Sequence, residues 1–102
     1  MMSLVDEKRD AIEALCLKFN VRRLDVFGSV TGALFNPSNS DIDFLVEFEQ
    51  LAPAMHYECY FGLQEGLETL FGRHVDLVES ASLRNPYFIK GVDATREPVY
   101  AA

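Results

Sequence analysis

VFGSVTGALFNPSNSDIDFLVEFE, residues 26–49, sets a glycine and a dense turn between two extended apolar pieces. Its second half alternates. In Asp41-Ile42-Asp43-Phe44-Leu45-Val46-Glu47-Phe48, Ile42, Phe44, Val46 and Phe48 fall on one side of an extended chain. Asp41, Asp43, Leu45 and Glu47 fall on the other, which predicts a strand with a core face and an acidic face. Just ahead, Asn36-Pro37-Ser38-Asn39-Ser40 is a dense turn signal. Leu24, Val26 and Phe27 predict a short strand that Gly28 halts, and residues 29–34 can form a short helix.

This order has chemical consequences. Two acids at i and i+2 of a strand point the same way, about 6.6 Å apart at a rise of ~3.3 Å per residue. Their charges repel, and each raises the other's pKa until a divalent cation removes the penalty. Two-metal sites hold ions ~3.5–4 Å apart, a gap such a pair can bridge. Mg²⁺ prefers hard oxygen ligands and shares its shell with substrate phosphates. Gly28-Ser29 ends one strand and opens a helix, where free N–H groups and the helix dipole favour an anion. Gly28 lets a phosphate approach the backbone, and the Ser29 hydroxyl can donate to it. The turn then returns the chain to Asp41 and Asp43, so phosphate cradle and metal carboxylates lie side by side.

Outside this stretch the pattern is helical, then extended. Ser3 and Asp6 resemble a capping box, and Ile12, Leu15, Cys16 and Phe19 follow at helical spacing up to Asn20, a C-cap candidate. Pro53 opens a long helix carrying Met55, Cys59, Leu63, Leu67, Leu70 and Phe71, which stops at Gly72. Residues 74–79 alternate as a third strand containing Asp76. Ser80 is a candidate cap for a final helix over residues 87–94, broken early by Pro86, and Pro98-Val99-Tyr100 closes the chain as an extended piece. The expected fold is α/β (α+β): one small mixed sheet flanked by helices, with residues 1–102 as a single domain.

Composition narrows the function classes. The chain has 102 residues, and 9 Lys and Arg against 16 Asp and Glu give a net charge of −7. Nucleic-acid binders carry basic faces that neutralise phosphates, and this chain has no basic cluster. An acidic chain that handles a polyanion needs a divalent cation or a basic partner. No apolar run suffices for a membrane span, and no signal-peptide pattern opens the sequence, so a cytoplasmic location is expected. Cys16 and Cys59 form no C-x-x-C pair and read as buried thiols.

Val26-Phe27-Gly28-Ser29, then eleven residues, then Asp41-Ile42-Asp43-Phe44, resembles the signature of the DNA polymerase beta nucleotidyltransferase superfamily. With HVDLVE at residues 74–79, the run resembles that superfamily's minimal, antitoxin-type branch. The resemblance implies that Asp41 and Asp43 hold two Mg²⁺ ions. It also implies that Asp76 completes the catalytic metal site and helps activate the acceptor hydroxyl. Many relatives carry basic residues after the Gly-Ser pair; here Val30, Thr31 and Gly32 follow instead.

The plainer readings stand beside these. Asp41 and Asp43 alone read as solvated strand acids, Glu47 as an edge acid, and Ser29 as a helix N-cap. His56 and His74 have no partner at metal spacing in the sequence and read as surface or half-buried imidazoles. Arg22-Arg23 reads as a solvated strand start. Tyr57, Tyr60 and Phe61 divide evenly between core and partner-covered surface.

The expected function is Mg²⁺-dependent transfer of AMP from ATP to a hydroxyl, with Gly28 and Ser29 on the β- and γ-phosphates. The resemblance implies a tyrosine of a HEPN-type toxin as acceptor, and not nucleic acid. A non-catalytic subunit that acts by occlusion is one alternative. Transfer to an aminoglycoside-like small molecule is another, and it needs a further lobe that a homo-oligomer can supply.

Overall fold

The computed structural model describes residues 3–28 and 41–102. A single helical turn, α1 (Ser3–Asp6), precedes α2 (Arg9–Lys18), β1 (Val21–Phe27) and β2 (Ile42–Phe48). Next come α3 (Pro53–Phe71), β3 (Val75–Glu79), a 3-10 turn (Ser80–Ser82), α4 (Pro86–Thr95) and β4 (Glu97–Ala101). The expected short helix at 29–34, the turn at 36–40 and Ser29 lie outside the described residues. The strands form one sheet in the order β3-β2-β1-β4. β1 pairs antiparallel with β2 and β4, while β2 and β3 run parallel, so the sheet is mixed, as the sequence predicts. A parallel pair needs a long crossover, and α3 supplies it.

Burial follows the alternation on one face. Ile42, Phe44 and Val46 of β2 meet Ile12 and Cys16 of α2 and Leu63, Leu67 and Phe71 of α3 in the main core. α3 begins with Pro53 at its first turn and ends at Gly72, whose φ of 65° is left-handed and whose N–H bonds the Glu68 carbonyl at 2.8 Å. α2 packs close because α3 presents glycine: a Cβ at Gly66 would meet Leu15 Cδ2 at 2.7 Å. The other face is less acidic than the pattern predicts. Leu45 is 3% exposed and packs with Phe27 and Val92 of α4 in a second small cluster. Alternation separates the faces, but it cannot say that a later helix covers the second one.

Three local readings are corrected. The N-terminal helix is split at Glu7-Lys8, with fully buried Val5 in the core before the break and Ile12 after it. Ser80 opens the 3-10 turn and does not cap α4. Asn85 caps it, accepting from the N–H groups of Tyr87 and Phe88 at 2.9 and 3.2 Å, and Pro86 occupies the first helical position instead of breaking the helix.

Side chains of α3 also cover the outer edge of β3. Tyr60 donates to the Leu77 carbonyl, Gln64 donates to the Val75 carbonyl at 3.1 Å, and Glu68 accepts from the Val75 N–H at 3.1 Å. No helix among the described residues is long and apolar enough to cross a membrane.

Candidate active site

The register of three strands assembles the acids at one end of the sheet. Asp43, near the start of β2, lies opposite Phe27 at the end of β1 and beside Asp76 at the start of β3. Parallel neighbours sit ~4.8 Å apart, so the two carboxylates leave the same face within reach of each other. Asp41 precedes β2, and the Ile42 N–H bonds the His74 carbonyl at 3.3 Å, which holds Asp41 next to the start of β3. Ligand atoms of Asp41, His74 and Asp76 lie within 4.8 Å of one another, and all three residues are exposed.

The electrostatics are those of crowded, incompletely neutralised acids. The Asp43 carboxyl is pushed up to about 6 from 3.8. Burial is the largest cause, followed by a hydrogen bond to Asp76 and the charges of Asp76 and Asp41; His74 opposes them. His74 Nε2 lies 2.9 Å from Asp76 Oδ1, and its Nδ1 lies 3.1 Å from Glu68 Oε2. The Asp76 hydrogen bond raises the His74 pKa most, and Asp41 and Glu68 add to it. A group of convergent oxygen donors that repel one another suits a hard divalent cation, so the residues present fit such an ion.

Gly28 completes this end of the sheet. Its φ of 78° is left-handed, and a Cβ there would come within 2.5 Å of Asp43 Oδ2. Any other residue would be both strained and pressed into the carboxylate. The Gly28 N–H donates to Thr95 Oγ1 at 3.0 Å. Beside the acids lies a cavity of about 340 Å³ that includes Phe27, Tyr60, Gln64, Val78 and Phe88. Phe27 and Phe88 meet edge to face at 6.1 Å. No Lys or Arg lines it among the described residues. A larger groove, about 650 Å³, runs between α2 and α3, but it brings no group of acids to a common point.

The profile of the nucleotidyltransferase domain matches residues 8–94. The chain belongs to the nucleotidyltransferase family. This nucleotidyltransferase is 40% identical over 86 residues to protein adenylyltransferase MntA of Thermococcus cleftensis, covering 81% of this chain and 77% of that one. It is 32% identical over 96 residues to a Methanocaldococcus jannaschii protein that carries the same designation provisionally, covering 90% and 94%. Among solved structures it resembles a minimal nucleotidyltransferase at a TM-score of 0.65, with 31% identity and 91% and 90% of the two chains covered. A Shewanella oneidensis complex of a tri-AMPylated HEPN toxin with its MNT antitoxin matches at 0.64, with 18% identity and 96% and 73% covered, a likeness of fold.

Of the residues singled out in the sequence, Asp41, Asp43, Asp76 and Gly28 come together, and Ser29 lies outside the described residues. His74 is the correction: it has neighbours at metal distance that its sequence spacing hides. The signal for it was present, since His74 and Asp76 are at i and i+2 of an extended segment. Sequence reasoning also missed Asp25. It is 1% exposed on β1, with Arg96 at 2.6 Å and Arg23 at 3.3 Å, so the arginine pair that reads as a solvated strand start includes a partner of a buried acid. His56 pairs with Glu79. Tyr57 and Phe61 are 66% and 48% exposed, which puts them on the surface side of the even reading, whereas Tyr60 is half-buried.

Proposed function

We propose that this nucleotidyltransferase moves AMP from ATP to a tyrosine of a HEPN-type toxin, and acts in the cytoplasm as the antitoxin of that pair. The observation that carries the reading is the meeting of Asp41, Asp43 and Asp76 beside Gly28. The name of the Thermococcus cleftensis relative, protein adenylyltransferase, supports AMP as the group transferred. The tri-AMPylated toxin in the Shewanella oneidensis complex supports the acceptor. The net charge of −7, and a cavity that no Lys or Arg lines among the described residues, favour an acceptor other than nucleic acid.

In this reading residues 1–102 form one catalytic domain. Asp41 and Asp43 hold two Mg²⁺ ions and Asp76 completes the catalytic one; when bound, these ions neutralise phosphate charge and the repulsion among the acids. Gly28 and Ser29 hold the β- and γ-phosphates: Gly28, whose own N–H is taken by Thr95, lets a phosphate approach the backbone closely, and the Ser29 hydroxyl donates to it. The acceptor oxygen bonds to the α-phosphorus as Asp76 takes its proton. The bond from the α-phosphorus to the bridging oxygen breaks, and pyrophosphate leaves with the electron pair. His74, hydrogen-bonded to Asp76, orients that carboxylate.

Labelled ATP incubated with the chain and its helical partner tests this. Asp41→Asn and Asp43→Asn are each expected to lower transfer at least about 100-fold while the fold survives. Wild-type transfer by Asp43→Asn removes the assignment. One observation favours occlusion without catalysis: residues 28–40 contain no Lys or Arg. Absence of Mg²⁺-dependent ATP binding decides for that alternative.

A further inference from the structure

We propose that Thr95, the last residue of α4, is a positioning residue that fixes the Gly28 backbone for triphosphate binding. The inference rests on the reading of Gly28 as part of the phosphate site. The Thr95 hydroxyl has one proton, donated to the Gly91 carbonyl at 3.1 Å. With the Val92 carbonyl as the other acceptor at 3.5 Å, the proton points back into α4 and leaves a lone pair for the Gly28 N–H, 3.0 Å away and 67 residues distant in the chain.

The end of α4 is well anchored for this task. Arg96, the next residue, donates twice to Asp25 Oδ2, at 2.9 and 2.6 Å, and Asp25 is 1% exposed. Its third contact is Asp93 Oδ1 at 3.1 Å, back on the helix. Val92, one turn earlier, packs with Phe27 and Leu45. The last turn of α4 therefore holds β1 at Asp25, Phe27 and Gly28 in succession, and the hydroxyl of Thr95 makes the contact nearest the acids.

Geometry makes that contact consequential. The left-handed φ of 78° at Gly28 turns the chain out of β1, and the position a Cβ would take lies 2.5 Å from Asp43 Oδ2. A swing of the Gly28 peptide would therefore move this backbone against the Asp43 carboxylate. Valine matches threonine in shape but has no acceptor, so its effect isolates the hydrogen bond.

The test uses the full chain as wild type, Thr95→Val and Thr95→Ser. MgATP binding is measured by calorimetry, and exchange of the Gly28 amide with solvent is followed by heteronuclear NMR. Thr95→Val is expected to bind MgATP about 5- to 10-fold more weakly and to exchange the Gly28 amide faster. Thr95→Ser is expected to stay within about twofold of wild type on both readouts. Unchanged affinity in a folded Thr95→Val overturns the proposal. Equal losses in the valine and serine variants overturn it too, because they make Thr95 a packing residue. If Thr95→Val does not fold, Thr95→Ala replaces it under the same criteria. A wild-type chain that binds no MgATP instead overturns the reading of Gly28 on which the inference rests.

Discussion

Replacing Asp43 by Asn should stabilise the metal-free protein while abolishing its chemistry. In the folded chain the Asp43 carboxyl titrates at about 6, against 3.8 for an ordinary aspartate. A raised carboxyl contributes stability that is fully present below the unfolded value and is lost as pH rises through the folded one. At pH 7.5 the whole penalty therefore applies. A rise from 3.8 to about 6 corresponds to about 3 kcal/mol for a fully buried group. Asp43 is only half-buried, and solvent screening reduces this to about 1 kcal/mol. Asn keeps the shape, can still hydrogen-bond Asp76, and carries no charge to be repelled by Asp76 and Asp41. In EDTA at pH 7.5, Asp43→Asn should melt about 4 °C above wild type. The difference should shrink towards zero near pH 4, where wild type is protonated. Saturating Mg²⁺ should reverse the order, since ligand at about 100 times its Kd adds about 2.7 kcal/mol to the chain that binds it. Melting curves followed by circular dichroism over this pH range suffice. A variant that melts at or below wild type in EDTA at pH 7.5, or whose advantage does not depend on pH, refutes the account of Asp43 as a strained acid.

Removing the guanidinium with Arg96→Met should cost about 2–3 kcal/mol in urea unfolding, because among the described residues it leaves the buried Asp25 carboxylate with Arg23 at 3.3 Å as its remaining ion-pair partner. Asn85→Ala should cost about 1 kcal/mol through loss of the α4 cap, whereas Ser80→Ala should change stability by less than about 0.5 kcal/mol. The two variants compared in one denaturation series separate the observed cap from the residue that sequence composition favours.

The parts of the fold that were legible were carried by local signals. β2 announced itself by alternation, and α3 by Leu63, Leu67 and Phe71 between Pro53 and Gly72. The meeting of the three candidate acids was legible because Asp41 directly precedes β2 while Asp43 and Asp76 are second in β2 and β3, so the motif encodes geometry directly. What escaped depends on tertiary register. His74 reaches Asp41 only because β2 and β3 run parallel with Ile42 beside Val75. Leu45 is buried only because α4 folds back over it, and Asp25 is neutralised by an arginine 71 residues away. The α4 cap was open for a different reason. Ser80 and Asn85 are both good capping types, and the deciding fact was that Pro86 suits a first helical turn better than it suits an interior.

The bonds from Tyr60, Gln64 and Glu68 to the outer edge of β3 have a consequence for how the molecule keeps company. An open strand edge is a template on which another chain can add by main-chain pairing. Here that template is occupied by side chains of α3, and at the far edge Pro98 of β4 has no N–H to give and the Val99 carbonyl accepts from Arg9 at 3.0 Å. Side chains thus interrupt the ladder at both edges of the sheet, which disfavours main-chain addition there. A protein that comes up to Asp76 from the β3 side meets Tyr60, Gln64 and Glu68 before it meets backbone.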